Sequence, residues 1–258
     1  MLPTPNFLPD PVLLLSVMLV SLRLAAMLLM TPILAGASVP AMVRVLLIFS
    51  LAICLTLGLP AAQLSAIPDL GQLCVAACMA LALGATMGLG MAVAFGAYSV
   101  GGRLLDVQIG FGIGQVFDPQ TRRQLPILTT LFNQLAIVLF FCTNACHEML
   151  RWLALSLAQF PPLRPWSFAD LAPSLFKQVA GLFGLGFALV APVVLSLLLV
   201  EFSLGILTRQ LPQLQMFAFA LPLKILLGLA ALAFWLGNSP GVITNAMSSA
   251  FFGWKAGI

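Results

Sequence analysis

At 258 residues the chain is 62% apolar and 7% charged, with a net charge of +4, against about 25% charged in an average soluble domain. That balance rules out most enzyme classes, and the scattered Lys and Arg residues form no basic run of the kind that binds nucleic acid. A chain this greasy belongs among lipids or equally apolar partners.

Six apolar stretches follow one another. Met1 to Pro11 carries Asp10 and no basic residue, so no cleaved signal is expected there. The first helix is expected over Val12 to Met30, ending before Thr31-Pro32 because a residue preceding proline is pushed out of the helical region. A connector ending near Arg44 leads to a second helix over Val45 to Gly58, followed by a turn segment between Pro60 and Pro68. The third helix, Leu70 to Gly102, has no charged residue and exceeds the roughly 20 residues needed to cross a bilayer. Within it Ala80, Gly84, Gly88, Ala92 and Gly96 recur every fourth residue. Such a stripe of small residues lets a second helix backbone approach closely, so this helix requires a close neighbour.

From Gly101 to Pro126 the chemistry changes, with charged and amide residues around glycines 110, 112 and 114. The glycines lack the G-x-G-x-x-G spacing, and no Walker lysine follows, so this is not a nucleotide loop. It reads as a loop bearing apolar rings, Phe111 and Phe117, between two charged shoulders. A fourth helix is expected over Leu125 to Ala145, running on amphipathically through Trp152. After the proline-rich connector from Phe160 to Trp166, the last part from about Pro173 reads as a helical hairpin. Its apolar runs are Gln178 to Val200 and Ile225 to Trp254, with Gln210 to Gln215 connecting the arms.

Catalytic chemistry is hard to assemble. His147 is the sole histidine, and no nucleophile motif lies near it. Cys142, Cys146, His147 and Glu148 do not share one helix face and find no second ligand cluster, so no metal site is expected. Five cysteines, all in apolar segments, argue against a disulfide framework. No cofactor is implied. Arg23, Glu201, Arg209 and Lys224 lie within or beside apolar helices, where a lone charge is costly, so pairing in this chain or with a partner is expected. A proton or ion path is the alternative, although no pair of broken helices in matching halves supports it. Taking six crossings, the basic residues divide five against four between the two sides, too evenly to orient the chain.

Two stretches carry a resemblance. The first runs D-V-Q-I-G-F-G from Asp106, then Phe117-Asp118-Pro119-Gln120 and Leu125-Pro126-Ile127-Leu128. The second runs V-E-F-S-L-G-I-L-T-R from Val200 to Arg209, then P-Q-L-Q-M-F from Pro212 and L-P-L-K from Leu221. In order and spacing the whole chain resembles the FliR proteins of the flagellar export gate and their relatives in virulence type III secretion. Gln215 stands where asparagine is more common, and Cys146 precedes His147 where glycine is more common.

The resemblance implies an all-α, integral-membrane-type fold, with residues 1–172 similar to FliP and a hairpin at 173–258 similar to FliQ. It implies a non-enzymatic subunit of an export pore in the bacterial inner membrane, within the flagellar basal body. Its partners would be FliP-like, FliQ-like and FlhB-like subunits, membrane lipid and exported unfolded polypeptides. It also implies that loop 106–123 plugs the closed pore, with Ile109, Phe111, Ile113, Val116 and Phe117 as the apolar bulk. A virulence secretion gate is the alternative within the class, and a stand-alone secondary transporter the alternative outside it.

Overall fold

The computed structural model describes residues 11–32, 40–58, 69–111, 126–161, 168–210 and 216–252, and every described element is a helix. In chain order these are α1 (Pro11–Met30), α2 (Ala41–Leu57), α3 (Leu70–Ile109), α4 (Ile127–Cys142), α5 (Ala145–Gln159), α6 (Phe168–Gln210), α7 (Met216–Asn238) and α8 (Pro240–Phe252). They belong to two compact units, Met1–Ala92 with Cys146–Leu175, and Val93–Ala145 with Phe176–Ile258. The expected division at 172/173 falls inside α6.

In the first unit α1 is the central packing element. Leu19, Val20, Leu24 and Met27 are buried along it. The α2 helix packs on α1 and buries only the narrow stripe Ile48, Ala52 and Thr56, one turn apart. On another side α1 meets the small residues of α3. A Cβ built on Gly84 would lie 2.1 Å from the Arg23 carbonyl oxygen, and one on Gly88 would lie 2.9 Å from that of Met27. The close neighbour required by the small-residue stripe is therefore a helix of the same chain.

The Arg23 side chain closes this unit. Its guanidinium donates to the Ser156 carbonyl and hydroxyl oxygens, both at 3.2 Å, and to the Phe160 carbonyl at 2.9 Å. These acceptors lie at the C-terminal end of α5, where the helix dipole favours a cation; the Ser156 carbonyl also accepts from the Phe160 N–H at 2.9 Å. Arg23 is buried, so a helix end takes the place of a carboxylate partner.

The second unit joins the C-terminal part of α3 to α4, α7, α8 and most of α6. Gly96 and Gly101 let α3 meet α6: their Cβ positions fall 2.8 Å from Leu182 Cδ1 and 3.1 Å from the Gly186 carbonyl. The contact is reciprocal, since a Cβ on Gly186 would lie 2.7 Å from the Ala97 carbonyl. Tyr98, fully buried, donates its hydroxyl proton to the Ile243 carbonyl at 2.8 Å, tying α3 to α8. The Trp235 indole donates to the Leu189 carbonyl at 3.1 Å and ties α7 to α6. Phe95 and Phe140 meet with ring centroids 5.8 Å apart.

Several boundaries differ from expectation, each for a local reason. The α2 helix starts at Ala41, so Arg44 lies within its first turn rather than in a connector. The α3 helix continues past Gly102 to Ile109, because its polar residues there are satisfied without leaving the helix. The expected fourth helix breaks at Thr143 and Asn144 into α4 and α5, and the last apolar run breaks at Ser239. Pro240 opens α8, where its missing N–H costs nothing. Among the described residues four helices are long and apolar enough to cross a membrane, or up to five if α4 and α5 form one broken span, against the six taken from the sequence.

Candidate functional site

Asp106 joins the end of α3 to the start of α4. Pro126 occupies the N-cap position of α4 and supplies no side-chain acceptor. The first-turn N–H groups of a helix have no helical carbonyl to bind, and a local Ser, Thr, Asp or Asn normally accepts from them. Here the acceptor comes from 22 residues upstream. Asp106 Oδ1 accepts from the Leu128 N–H at 2.9 Å, and Oδ2 accepts from the Thr129 N–H at 2.9 Å and the Thr129 hydroxyl at 2.7 Å. Asp106 is 4% exposed. It thus serves as the cap of a helix it does not belong to, and the positive end of that helix offsets its charge.

Gly102, one turn before Asp106, makes the approach possible. A Cβ there would lie 2.6 Å from the Thr129 Cα and 3.0 Å from the Leu128 carbonyl oxygen, both backbone atoms that cannot swing aside. One turn later Ile109 is fully buried, and a Cβ on Gly228 of α7 would come within 2.8 Å of its Cγ1. Gly110 then stops the helix with φ 99°, a left-handed conformation that glycine alone adopts at no steric cost. Phe111 follows, half-buried.

These positions redraw the expected plug. Residues 106–109 belong to α3, and Ile109 is a buried anchor of that helix rather than part of a loop. Phe111 is the first residue beyond the glycine stop. Ile113, Val116 and Phe117 lie outside the described residues. The sequence singled out Asp106 as a motif residue but not its task. The one available signal was a proline at the start of an apolar run, where a capping side chain would be expected.

Of the small-residue stripe, Ala80, Gly84 and Gly88 are buried, Ala92 is half-buried, and Gly96 meets α6. Lys224 of α7 forms an ion pair with Glu201 of α6, both partly exposed. Arg209 is exposed in the last turn of α6, where the helix dipole favours a cation. Among the described residues no three His, Cys, Asp or Glu side chains gather as metal ligands.

Comparison with known proteins gives this arrangement a setting. The sequence profile of the bacterial export proteins, family 1, matches residues 14–250. The flagellar biosynthetic protein FliR of Bacillus subtilis is 34% identical over 149 residues, 55% of this chain and 56% of that protein. The chain thus aligns with little more than half the length of that relative. The FliR of Escherichia coli is 27% identical over 217 residues, 82% of this chain and 80% of its own length. The secretion system apparatus protein SsaT of Salmonella typhimurium is 29% identical over 151 residues, 58% of this chain and 58% of that protein. With the profile spanning nearly every residue, the chain belongs to the bacterial export proteins, family 1.

Proposed function

We propose that this protein is a subunit of the flagellar type III export gate, helping to form and to close the pore through which unfolded polypeptides leave the cell. The observation that carries the reading is the length of α3. Its uncharged run, Leu70 to Gly102, holds 33 consecutive helical residues, about 50 Å at 1.5 Å per residue. The hydrocarbon core is about 30 Å thick, and even a tilt of about 40° lengthens the path through it only to about 39 Å. At least one end of this apolar rod must therefore be covered by protein. Helices of the same chain cover Gly84, Gly88, Gly96 and Gly101, but Leu70 and Val75 at the start of the rod stay exposed, which suits a subunit packed among other apolar subunits better than a stand-alone transporter.

Family-based expectation supplies the rest of the proposal. FliP-like and FliQ-like subunits, with a FlhB-like subunit, are the partners that cover the exposed apolar helices, residues 1–172 corresponding to the former fold and 173–258 to the latter. The assembly sits in the inner membrane at the flagellar basal body. Phe111, with Ile113, Val116 and Phe117, supplies the plug, since a hydrophobic constriction blocks ions by excluding water. Export energy comes from other components. The flagellar reading is preferred to a virulence gate because the Bacillus subtilis FliR is 34% identical and the Escherichia coli FliR aligns with 82% of this chain, against 29% and 58% for the virulence relative.

The test is affinity purification of the tagged chain from its own cells, together with an assay of flagellar export in cells lacking it. FliP-like and FliQ-like subunits should co-purify, and cells lacking the chain should stop exporting flagellar subunits. Normal export without it, or a monomer that moves a small solute, would overturn the reading.

A further inference from the structure

We propose that Asp106 is the positioning residue of the plug. It acts through the start of α4 and holds together the two helix ends between which residues 112–125 run. The inference rests on the reading that those residues close a pore, but its geometry lies wholly in described residues.

The start of α4 is built to depend on a distant carboxylate. Pro126 offers no side-chain acceptor, and no side-chain bond from the N-cap reaches the first turn. Leu128 and Thr129 stand where a capped helix directs its second and third N–H groups, and both are bound by Asp106. The two carboxylate oxygens take one N–H each, so the bidentate contact fixes orientation as well as distance. Gly102 fixes the approach from one side, with its Cβ position 2.6 Å from the Thr129 Cα, and Ile109 fixes the α3 end by burial against Gly228. Nothing here needs a ligand.

Asp106 is thus separated from the expected plug at both ends by short distances along the chain. Five residues after it comes Phe111, and the capped Leu128 comes five residues after position 123, where the expected plug loop ends. A purely structural carboxylate could sit anywhere along a 40-residue helix. This one sits in the last turn, bound to the first turn of the helix that receives the returning chain. If the lock opens, both attachment points of the intervening segment gain freedom together.

The experiment uses the complete gate, purified with its partner subunits, and two readouts. Hydrogen exchange follows the Leu128 and Thr129 amides, and ion conductance is recorded across planar bilayers holding the gate. Asp106→Ala should speed exchange at those amides roughly tenfold and raise the conductance of an assembled gate. Asp106→Asn keeps one acceptor oxygen and presents an N–H₂ where the second amide needs an acceptor, so its effect should fall between wild type and Ala. It also carries the test if the Ala variant does not assemble. A gate lacking residues 110–115 is measured beside them.

If that deletion conducts while the Asp106 variants exchange faster but stay sealed, the positioning role is overturned and the plug reading stands. Unchanged exchange in the variants overturns the lock itself. If neither the deletion nor the variants conduct, the plug reading falls, and the positioning role with it. Leakage graded Ala above Asn above wild type, with the deletion also leaking, is the result expected.

Discussion

A charge among apolar helices needs a partner, yet Arg23 and Asp106 are both buried and neither meets an opposite side-chain charge in the bonds that hold it. Each is held by a helix end, the cation by carbonyls closing α5, with its Nε left without a bond, and the anion by amides opening α4. Helix ends are where unpaired backbone groups and dipole charge coincide. Replacing Arg23 by Leu removes three donated bonds from a buried site. A loss of about 2–3 kcal/mol is expected, in the range of hydrogen bonds to charged groups. Arg23→Lys should lose part of it, because a single ammonium lacks the planar fork that reaches several acceptors at once. Thermal melting of the purified chain in detergent checks both, and an unchanged midpoint for Arg23→Leu would contradict the assignment. Neither partnership was legible beforehand. The sequence shows the two charges, but their acceptors and donors are backbone groups, which every residue carries and none advertises.

The helices themselves were more readable, because hydrophobic runs announce their own length. Leu70 and Met216 open helices where expected. The boundaries depart from expectation where polar residues continue a helix. Arg103 is exposed, so it can remain helical at the surface of α3, and Asp106 is satisfied by α4 without breaking its own helix. Conversely, apolarity hid the breaks at Thr143 and Ser239, which interrupt the backbone but not the hydrophobic run. The small-residue stripe requires a close neighbour, and Gly84 and Gly88 meet α1 of the same chain. Gly84→Leu should therefore unfold the first unit rather than merely release partners, since α1 must move to relieve a contact of 2.1 Å with the Arg23 carbonyl. Overpacking of this kind costs about 1–3 kcal/mol or more. Gly181→Leu on α6, with nothing within 4 Å of its Cβ position, is the matched control and should melt at or slightly above wild type, because leucine favours the helix. Equal melting of the two variants would remove the close α1–α3 packing from the account.

The α6–α7 pair offers a second element-scale prediction. Glu201→Lys should lower the yield of intact complex by placing two ammonium groups where an ion pair stood, and adding Lys224→Glu should recover most of it. Because Glu201 remains 39% exposed on its side chain, solvent screens the pair and removal by Glu201→Ala should cost about 1 kcal/mol or less. Wild-type yield from the single reversal would show that the pairing plays no part in assembly.

For the molecule as a whole, the unanswered apolar surface is the main constraint. Phe202 is 70% exposed, Phe234 73% and Leu226 67%, and large side chains of this kind on many helices mark contact with lipid or protein. The apolar run of α3 is longer than a bilayer core is thick, so lipid alone does not cover it. Composition made the membrane setting legible, and the two motif stretches made the family legible. The division into units was not readable, because α3 and α6 pass through both without a change in composition. The central claim is that this chain closes a pore it helps to build, and ion conductance of the purified gate tests it most directly. Replacing Phe111 and Phe117 together by Ala should leave the subunits assembled and the gate conducting where the wild type is sealed. An assembled double variant as tight as wild type would contradict it.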